Sequence, residues 1–199
     1  MTPGDLEEYR ALRATIRERG TARVWIAVAG LAAWSAIALA STVLAGTPAA
    51  TLPPLLLLAV AFEAVFALHT GVERVGRYIQ VFHEGDGSAW EHAAMAYGRA
   101  FPGGGLDPLF CTFFWLAALL NLLPALSGQP LAADSWRVVL AHALFAFRIW
   151  RARRDAARQR AIDLDRFRRL QNDSATLPTR ASSASSAGSA GADASARQR

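Results

Sequence analysis

The sequence has no lysine and only one cysteine, and it lacks the short motifs that mark catalytic nucleophiles. All 21 basic side chains are arginine, and against 16 acidic side chains they give a formal net charge of +5. The lone cysteine, Cys111, excludes an intramolecular disulfide and a metal site built from several thiolates. No G-x-S-x-G or comparable nucleophile motif is present. The sequence therefore favours a non-enzymatic role over a catalytic one.

Charge is also missing from long parts of the chain. Val24–Ala45 has no charged residue, and its 22 residues span about 33 Å at 1.5 Å per residue, enough for a hydrocarbon core of about 30 Å. A soluble helix of that length would carry a polar face. Four predominantly apolar stretches occur, at 24–45, 52–70, 108–126 and 132–150. They predict an all-α polytopic membrane protein with four transmembrane helices in two hairpins and helical cytoplasmic extensions.

Arginine is distributed unevenly around these stretches. Twenty of the 21 arginines fall on one side of the predicted spans, and the exception is Arg137. The connections 46–51 and 127–135 contain none. Because cytoplasmic loops are enriched in arginine, this bias predicts a multi-pass protein of a bacterial inner membrane with both termini in the cytoplasm. Its arginines would face the anionic inner leaflet of the lipid bilayer.

The chain divides into three predicted parts: a cytoplasmic amphipathic helix (1–23), a four-span membrane domain (24–172) with a cytoplasmic helical loop (71–107) and a post-span helix (151–172), and a disordered Ser/Ala/Gly-rich tail (173–199). Thr2 and Asp5 match a capping box at the start of the first helix, and Ser88 and Glu91 match a second one in the loop. We expect Gly20 to bend the chain before the first span.

Two cytoplasmic helices are expected between the second and third spans. The second span is predicted to continue as a helix to about Phe82, where Glu73 and Arg77 are placed to form an i, i+4 ion pair. A short helix is then predicted over 89–99. Together with the N-terminal helix and the extension of the fourth span, these form a predicted cytoplasmic layer.

Glu63 is the most unusual residue of the predicted spans. It lies about 16 Å into the second span, and an ionisable group at that depth marks a functional site or a buried polar pair. His142 in the fourth span falls at a similar depth. Two interpretations stay open: a proton or cation relay through Glu63 and His142, or one interhelical hydrogen bond that fixes helix register.

Two further polar residues lie near the cytoplasmic ends of spans. Arg148 is expected to snorkel or to pair with Glu73. His69 lies at the end of the second span, and its depth differs from that of His142 by at least one to two turns. That offset argues against a bis-histidine haem site, so no cofactor is predicted.

The cytoplasmic loop contains one group of metal-ligand residue types, which are His83, Glu84, Asp86, Glu91 and His92. Their spacing matches neither a zincin nor a calcium loop. We interpret them as solvated loop polarity and keep them only as weak metal candidates.

The function predicted from these features is that of a non-enzymatic integral membrane protein acting by assembly or partner binding through its cytoplasmic helices. Homo-oligomerisation is one form of that assembly. The alternative is a small proton or cation pathway using Glu63 and His142. Nucleic-acid binding would also use the positive charge, but no recognition motif accompanies it, so no nucleic-acid partner is predicted.

Overall fold

A computed structural model describes residues 2–44, 47–84, 90–101, 107–126 and 135–176, and within these ranges the chain is helical and contains no strand. The five helices are α1 (Pro3–Leu44), α2 (Leu52–Phe82), α3 (Trp90–Ala100), α4 (Cys111–Leu126) and α5 (Ser135–Thr176), with a 3₁₀ turn at Pro48–Thr51 before α2. The all-α prediction is confirmed. The packing order across the bundle is α1 on α2, α2 on α5 and α5 on α4.

Helix α1 begins at the predicted capping box. The backbone N–H of Asp5 donates to Oγ1 of Thr2, and the Asp5 carboxylate accepts from the Thr2 backbone N–H at 2.6 Å. The helix then runs for 42 residues without interruption. The helix continues through Gly20, where a bend is expected from the sequence, because helix-forming residues flank it and a single interior glycine costs only about 1 kcal/mol.

In the hairpin of α1 and α2, a glycine allows the two helices to approach each other closely. A Cβ added at Gly30 would lie 2.5 Å from Cβ of Ala61, far inside van der Waals contact. Two small residues therefore bring the two helix backbones together at this level. Ala27, one turn earlier in α1, is buried against the same partner surface.

Helix α2 has the extent that its sequence pattern predicts. Its first turn contains Pro53 and Pro54, and their missing N–H groups cost no hydrogen bond because N–H groups in a first turn have no acceptor within the helix. It continues to Phe82, the predicted end. Helix α3 likewise matches the short helix expected in the loop, while Ser88 of the second capping box and Asp86 lie outside the described residues.

The second hairpin pairs a short helix with a long one. The carboxylate of Asp107 accepts backbone N–H groups of Leu109 and Thr112 and so caps the start of α4. Helix α5 runs for 42 residues to Thr176. The tail predicted to be disordered therefore starts with helical residues at 173–176, and 177–199 lie outside the described residues.

The core of the bundle is aromatic and aliphatic. Phe62 of α2 packs edge to face against Phe114 of α4 and Phe145 of α5, with ring centroids 5.3 and 6.1 Å away. Leu58 and Val65 fill the space one turn to either side. Edge-to-face packing of aromatic rings adds about 1 kcal/mol per pair to the burial of their area.

Large apolar side chains also cover much of the outer surface of the bundle. They occur on the second half of α1, the first half of α2, all of α4 and the first half of α5, and include Val28, Val43, Leu56, Val60, Phe113, Leu119, Leu123, Leu140 and Leu144. The helical segments Pro3–Val43 and Pro48–Phe82 are long and apolar enough to cross a membrane. Helix α4 is apolar but has 16 residues, and α5 carries more charge.

Candidate functional site

Glu63 and Arg148 form an ion pair between α2 and α5. Nε and Nη2 of Arg148 each lie 2.7 Å from one oxygen of the Glu63 carboxylate. The guanidinium also lies over the ring of Phe66, 4.7 Å from its centroid. The Glu63 and Arg148 side chains are 49% and 34% exposed, so the pair lies on an outer face of the bundle. From the sequence, Glu63 is expected to join His142, and Arg148 to snorkel or to pair with Glu73, whereas the structure joins Glu63 to Arg148.

His142 lies in a different hydrogen-bond network, at the end of the bundle that holds the 3₁₀ turn (the turn end). Its Nδ1 donates to the carbonyl of Val138 at 2.8 Å, so its Nε2 accepts the amide N–H of Asn121 at 3.0 Å. Asn121 also donates to the carbonyl of Thr51 at 2.8 Å and accepts from the indole of Trp34 at 3.3 Å. Both ring nitrogens of a neutral His142 are therefore occupied within the network.

Asn121 connects four chain segments, and sequence reasoning did not assign it a role. It is 4% exposed and joins α4 to α1, α5 and the turn. The sequence feature that could have identified it is a single carboxamide side chain in an otherwise apolar helix, because polar side chains in such helices form hydrogen bonds to neighbouring helices. Beside the network lies a cavity of about 480 Å³, lined by Trp34, Thr51 and Asn121 among mostly small and apolar residues of α1, the turn and α4.

The aromatic core separates this network from the other end of the bundle, where the arginines lie (the charged end). The three rings of this core, Phe62, Phe114 and Phe145, are all buried between the two ends. Among the described residues, no hydrogen bond links Glu63 to His142. The two residues that the relay hypothesis joins therefore belong to separate groups.

His69 is buried at the charged end, where α1, α2 and α5 meet. Nη1 of Arg23 lies 3.0 Å from its Nδ1, and because a guanidinium can only donate, Nδ1 accepts and Nε2 carries the proton. Nε2 of His69 and Nε of Arg77 are both buried without a partner among the described residues. Both residues line a cavity of about 10 Å³ between α2 and α5, the size of one water molecule.

Ion pairs tie α2 to α5 around this cavity. The Glu73 carboxylate accepts from Arg77 at 2.9 Å, which confirms the predicted i, i+4 pair, and lies 3.0 Å from Nε of Arg160 on α5. Arg74, the residue after Glu73, lies 3.4 Å from the carboxylate of Asp163, one turn after Arg160 on α5. The Asp163 side chain is 7% exposed. These contacts join the predicted extensions of the second and fourth spans into one layer.

Two of the loop residues considered as metal ligands, Glu84 and Glu91, belong to an ion-pair cluster centred on Arg13 of α1. Its Nη1 lies 2.6 Å from the Glu91 carboxylate and its Nη2 lies 3.0 Å from the Glu84 carboxylate. The Glu84 carboxylate also accepts the backbone N–H of Glu91 at 2.9 Å in the first turn of α3. Glu84 therefore holds the start of α3 and binds Arg13 at the same time.

The two histidines of the loop lie at the edges of this cluster. Nε2 of His83 is 3.7 Å from the Glu8 carboxylate, and Nδ1 of His92 is 3.5 Å from the Glu84 carboxylate. No group of three or more His, Cys, Asp or Glu within the described ranges is arranged to hold a metal ion. Burial raises the pKa of Glu91, and the charge of Arg13 opposes that increase.

A groove of about 600 Å³ lies at the charged end, next to this cluster (the α3/α5 groove). One wall is α3, the other is α5, and the floor is α2. Its lining combines apolar and small residues with four charged side chains: Ile16, Val72, Glu73, Gly76, Arg77, Glu91, Ala94, Met95, Gly98, Ala157, Arg160, Ala161 and Leu164. Helix α3 packs on α2 but makes no direct packing contact with α5 in the described residues, which leaves the groove open.

Comparisons with protein family models, with curated proteins and with solved structures give no match to this chain. The fold and the contacts thus define an all-helical protein with two helices long and apolar enough to cross a membrane, and an ion-paired helical layer at one end.

Proposed function

We propose that the protein is a four-span integral membrane protein with both termini in the cytoplasm, and that it acts by binding a partner protein through its cytoplasmic layer. The spans are α1 from about Val24, α2 to about Thr70, α4 with the residues before it, and the first half of α5. The cytoplasmic layer is the charged end of the bundle, where the α3/α5 groove opens.

The distribution of exposed side chains supports the membrane placement. Exposed apolar residues encircle the bundle beside the aromatic core, an arrangement typical of a lipid-facing surface and rare on soluble monomers. Arginine accumulates beyond one edge of that band, as expected for the cytoplasmic side. Trp25 and Trp150 are exposed near this edge, and Arg154 lies 3.7 Å from the centroid of the Trp150 ring. Such arginines attract anionic lipids by about 1 kcal/mol each.

The α3/α5 groove is the observation that carries the partner-binding proposal. Its walls present Ala94 and Met95 on one side and Ala161 and Leu164 on the other, above the ion pairs of Glu73. An amphipathic helix fits such a site, because its apolar stripe packs between the walls and its polar flanks face the charges. The occupant that we propose is a helix of this kind from a partner protein.

Site-specific photo-crosslinking in cell membranes tests the proposal. Gly98 lines the groove, and a Cβ added there meets nothing within 4 Å, so a photoreactive phenylalanine derivative can be attached at this position without a clash at its Cβ. We expect one discrete adduct. Ala94→Trp narrows the groove and should abolish the adduct, whereas Ala93→Trp, on the adjacent residue outside the groove, should not. An adduct that is absent, or equally strong in both variants, contradicts the proposal.

The proton or cation pathway remains a hypothesis based on sequence alone. Its two residues lie in separate groups, with Glu63 bound to Arg148 and both ring nitrogens of His142 engaged. Proton or cation flux in liposomes that is abolished by Glu63→Gln would support the pathway over the partner-binding proposal.

A further inference from the structure

The Glu63–Arg148 pair interrupts an otherwise apolar outer face formed by α2 and α5. On α2, Val60 and Leu56 are exposed one and two turns before Glu63, and the small Ala67 is exposed one turn after it. On α5, Leu144 is exposed one turn before Arg148. We call these six residues the α2/α5 face. In the four-span arrangement this face lies within the membrane.

A charged pair on a lipid-facing surface is costly even when its members bind each other. Ionisable groups within spans almost always face a bundle interior or a water-filled cavity. Glu63 and Arg148 instead keep about half and about one third of their side-chain surface exposed. Their bidentate contact uses Nε and Nη2 of Arg148. Among the residues that the structure describes, no acceptor contacts Nη1 of Arg148, so its protons can bind a second acceptor, and each Glu63 oxygen keeps a lone pair for a second donor.

A second copy of the chain supplies those partners by symmetry. A two-fold axis along the bilayer normal leaves the depth of every residue unchanged. Because Glu63 and Arg148 are bonded, they lie at one depth, so such an axis beside them places each carboxylate opposite the guanidinium of the other copy. A different partner would need its own acid and base at this level. The result of self-association is a closed ring of four alternating charges.

We propose that the α2/α5 face is a homodimer interface, closed by reciprocal contacts of Glu63 and Arg148 between two copies. The surrounding apolar residues pack against their counterparts, and Ala67 allows the two α2 helices to approach closely. The proposal rests on the proposed membrane placement and is independent of the α3/α5 groove.

Mixing of complementary variants tests the charge ring directly. In a dimer of Glu63→Gln copies both arginines lack an acid, and in a dimer of Arg148→Gln copies both acids lack a base. A mixed dimer restores one intermolecular Glu63–Arg148 pair. When differently tagged versions are co-expressed, we expect the mixed pair to co-purify severalfold more than either variant with itself. The wild type with itself is the reference.

Cysteine cross-linking tests the location of the interface without altering the charges. In a Cys111→Ser background, Ala67→Cys should give disulfide-linked dimers in native membranes, whereas Val28→Cys, exposed on α1, should not. Cross-linking at Val28 equal to that at Ala67, or co-purification without preference for the mixed pair, overturns the proposal. Neither readout involves α3, so a failure here is distinct from a failure of groove binding.

Discussion

Single residues gain their roles from partners that are distant in sequence. Residues 83–92 have the composition of a metal site, but Arg13 of α1 occupies the carboxylates of Glu84 and Glu91. Sequence spacing cannot reveal this, because it reports neighbours along the chain, whereas the ligand that satisfies these carboxylates comes from another helix. The local pair of Glu73 and Arg77 was predictable because both residues lie on one helix, four positions apart.

Replacing Arg13 should release α3 from α1. Arg13→Met keeps much of the side-chain length but leaves two carboxylates without their cation, and the Glu84 side chain is only 2% exposed. We expect a loss of about 2 kcal/mol, less than for a fully buried pair because Arg13 is partly exposed. Hydrogen exchange of the α3 amides should accelerate. Arg17→Met, on the exposed surface of the same helix, is the control, and equal exchange rates in both variants would refute this role.

Glu91 should make the stability of this cluster depend on pH. Burial raises its pKa in the folded state above the ordinary value of 4.5. The folded protein then binds this proton more tightly than the unfolded chain, so the stabilising contribution is complete below that ordinary value and is lost as pH rises through the folded-state pKa. Relative to Glu91→Gln, the wild type should therefore lose thermal stability as the pH rises above the ordinary value of 4.5 and through the raised folded-state pKa. A constant difference between the two proteins would show that Glu91 does not titrate as proposed.

At the scale of elements, the ends of helices were more predictable than their continuity. The capping box of Thr2 and Asp5 and the end of α2 near Phe82 follow from local patterns, and the structure confirms both. The unbroken passage of α1 through Gly20 was not predicted. An isolated glycine only weakens a helix, and the packing of the residues on either side decides whether the helix continues.

The contact between Gly30 and Ala61 should determine the stability of the α1/α2 hairpin. Gly30→Ala places a methyl group 2.5 Å from Cβ of Ala61, so the helices must separate. We expect a cost of about 1–3 kcal/mol, typical of overpacking, measured as thermal stability in detergent. Gly20→Ala on the same helix meets nothing within 4 Å and should be neutral or stabilising by up to about 1 kcal/mol. Equal effects of the two substitutions would mean that the close approach is unimportant.

At the scale of the whole molecule, the sequence predicts the level of each residue along the bundle axis but not the rotation of each helix about its own axis. Hydropathy and arginine content vary along the bundle axis, so they separate the apolar band from the charged end. They do not report how each helix is turned about its own axis. For this reason Glu63 was placed at a level inside the second span, while its position on an outer face beside Arg148 emerged only from packing. The network of Asn121 and His142 depends on rotation in the same way.

Reporter fusions test the four-span topology. Fusions at Pro48 and Gln129 should report the periplasmic side, and fusions at Gly87 and Ser182 the cytoplasm. Arginine is absent from 46–51 and 127–135, whereas it occurs in the 71–107 loop and is abundant in both terminal segments. The four insertion sites serve as controls for one another. A cytoplasmic signal at Gln129 would eliminate the second hairpin as a membrane element.

The length of α1 has a mechanical consequence. Its 42 residues form a rod of about 63 Å, and we take Gly30, where α1 closely approaches Ala61 of α2, as the reference point for a tilt of this rod. Arg13 lies about 25 Å from that point, so a rotation of about 5° displaces it by about 2 Å, the difference between a hydrogen bond and a broken one. Helices tilt when bilayer thickness changes. In the proposed four-span arrangement, we therefore expect a change in membrane thickness that tilts α1 by this amount to weaken or strengthen the contact of Arg13 with Glu84 and Glu91.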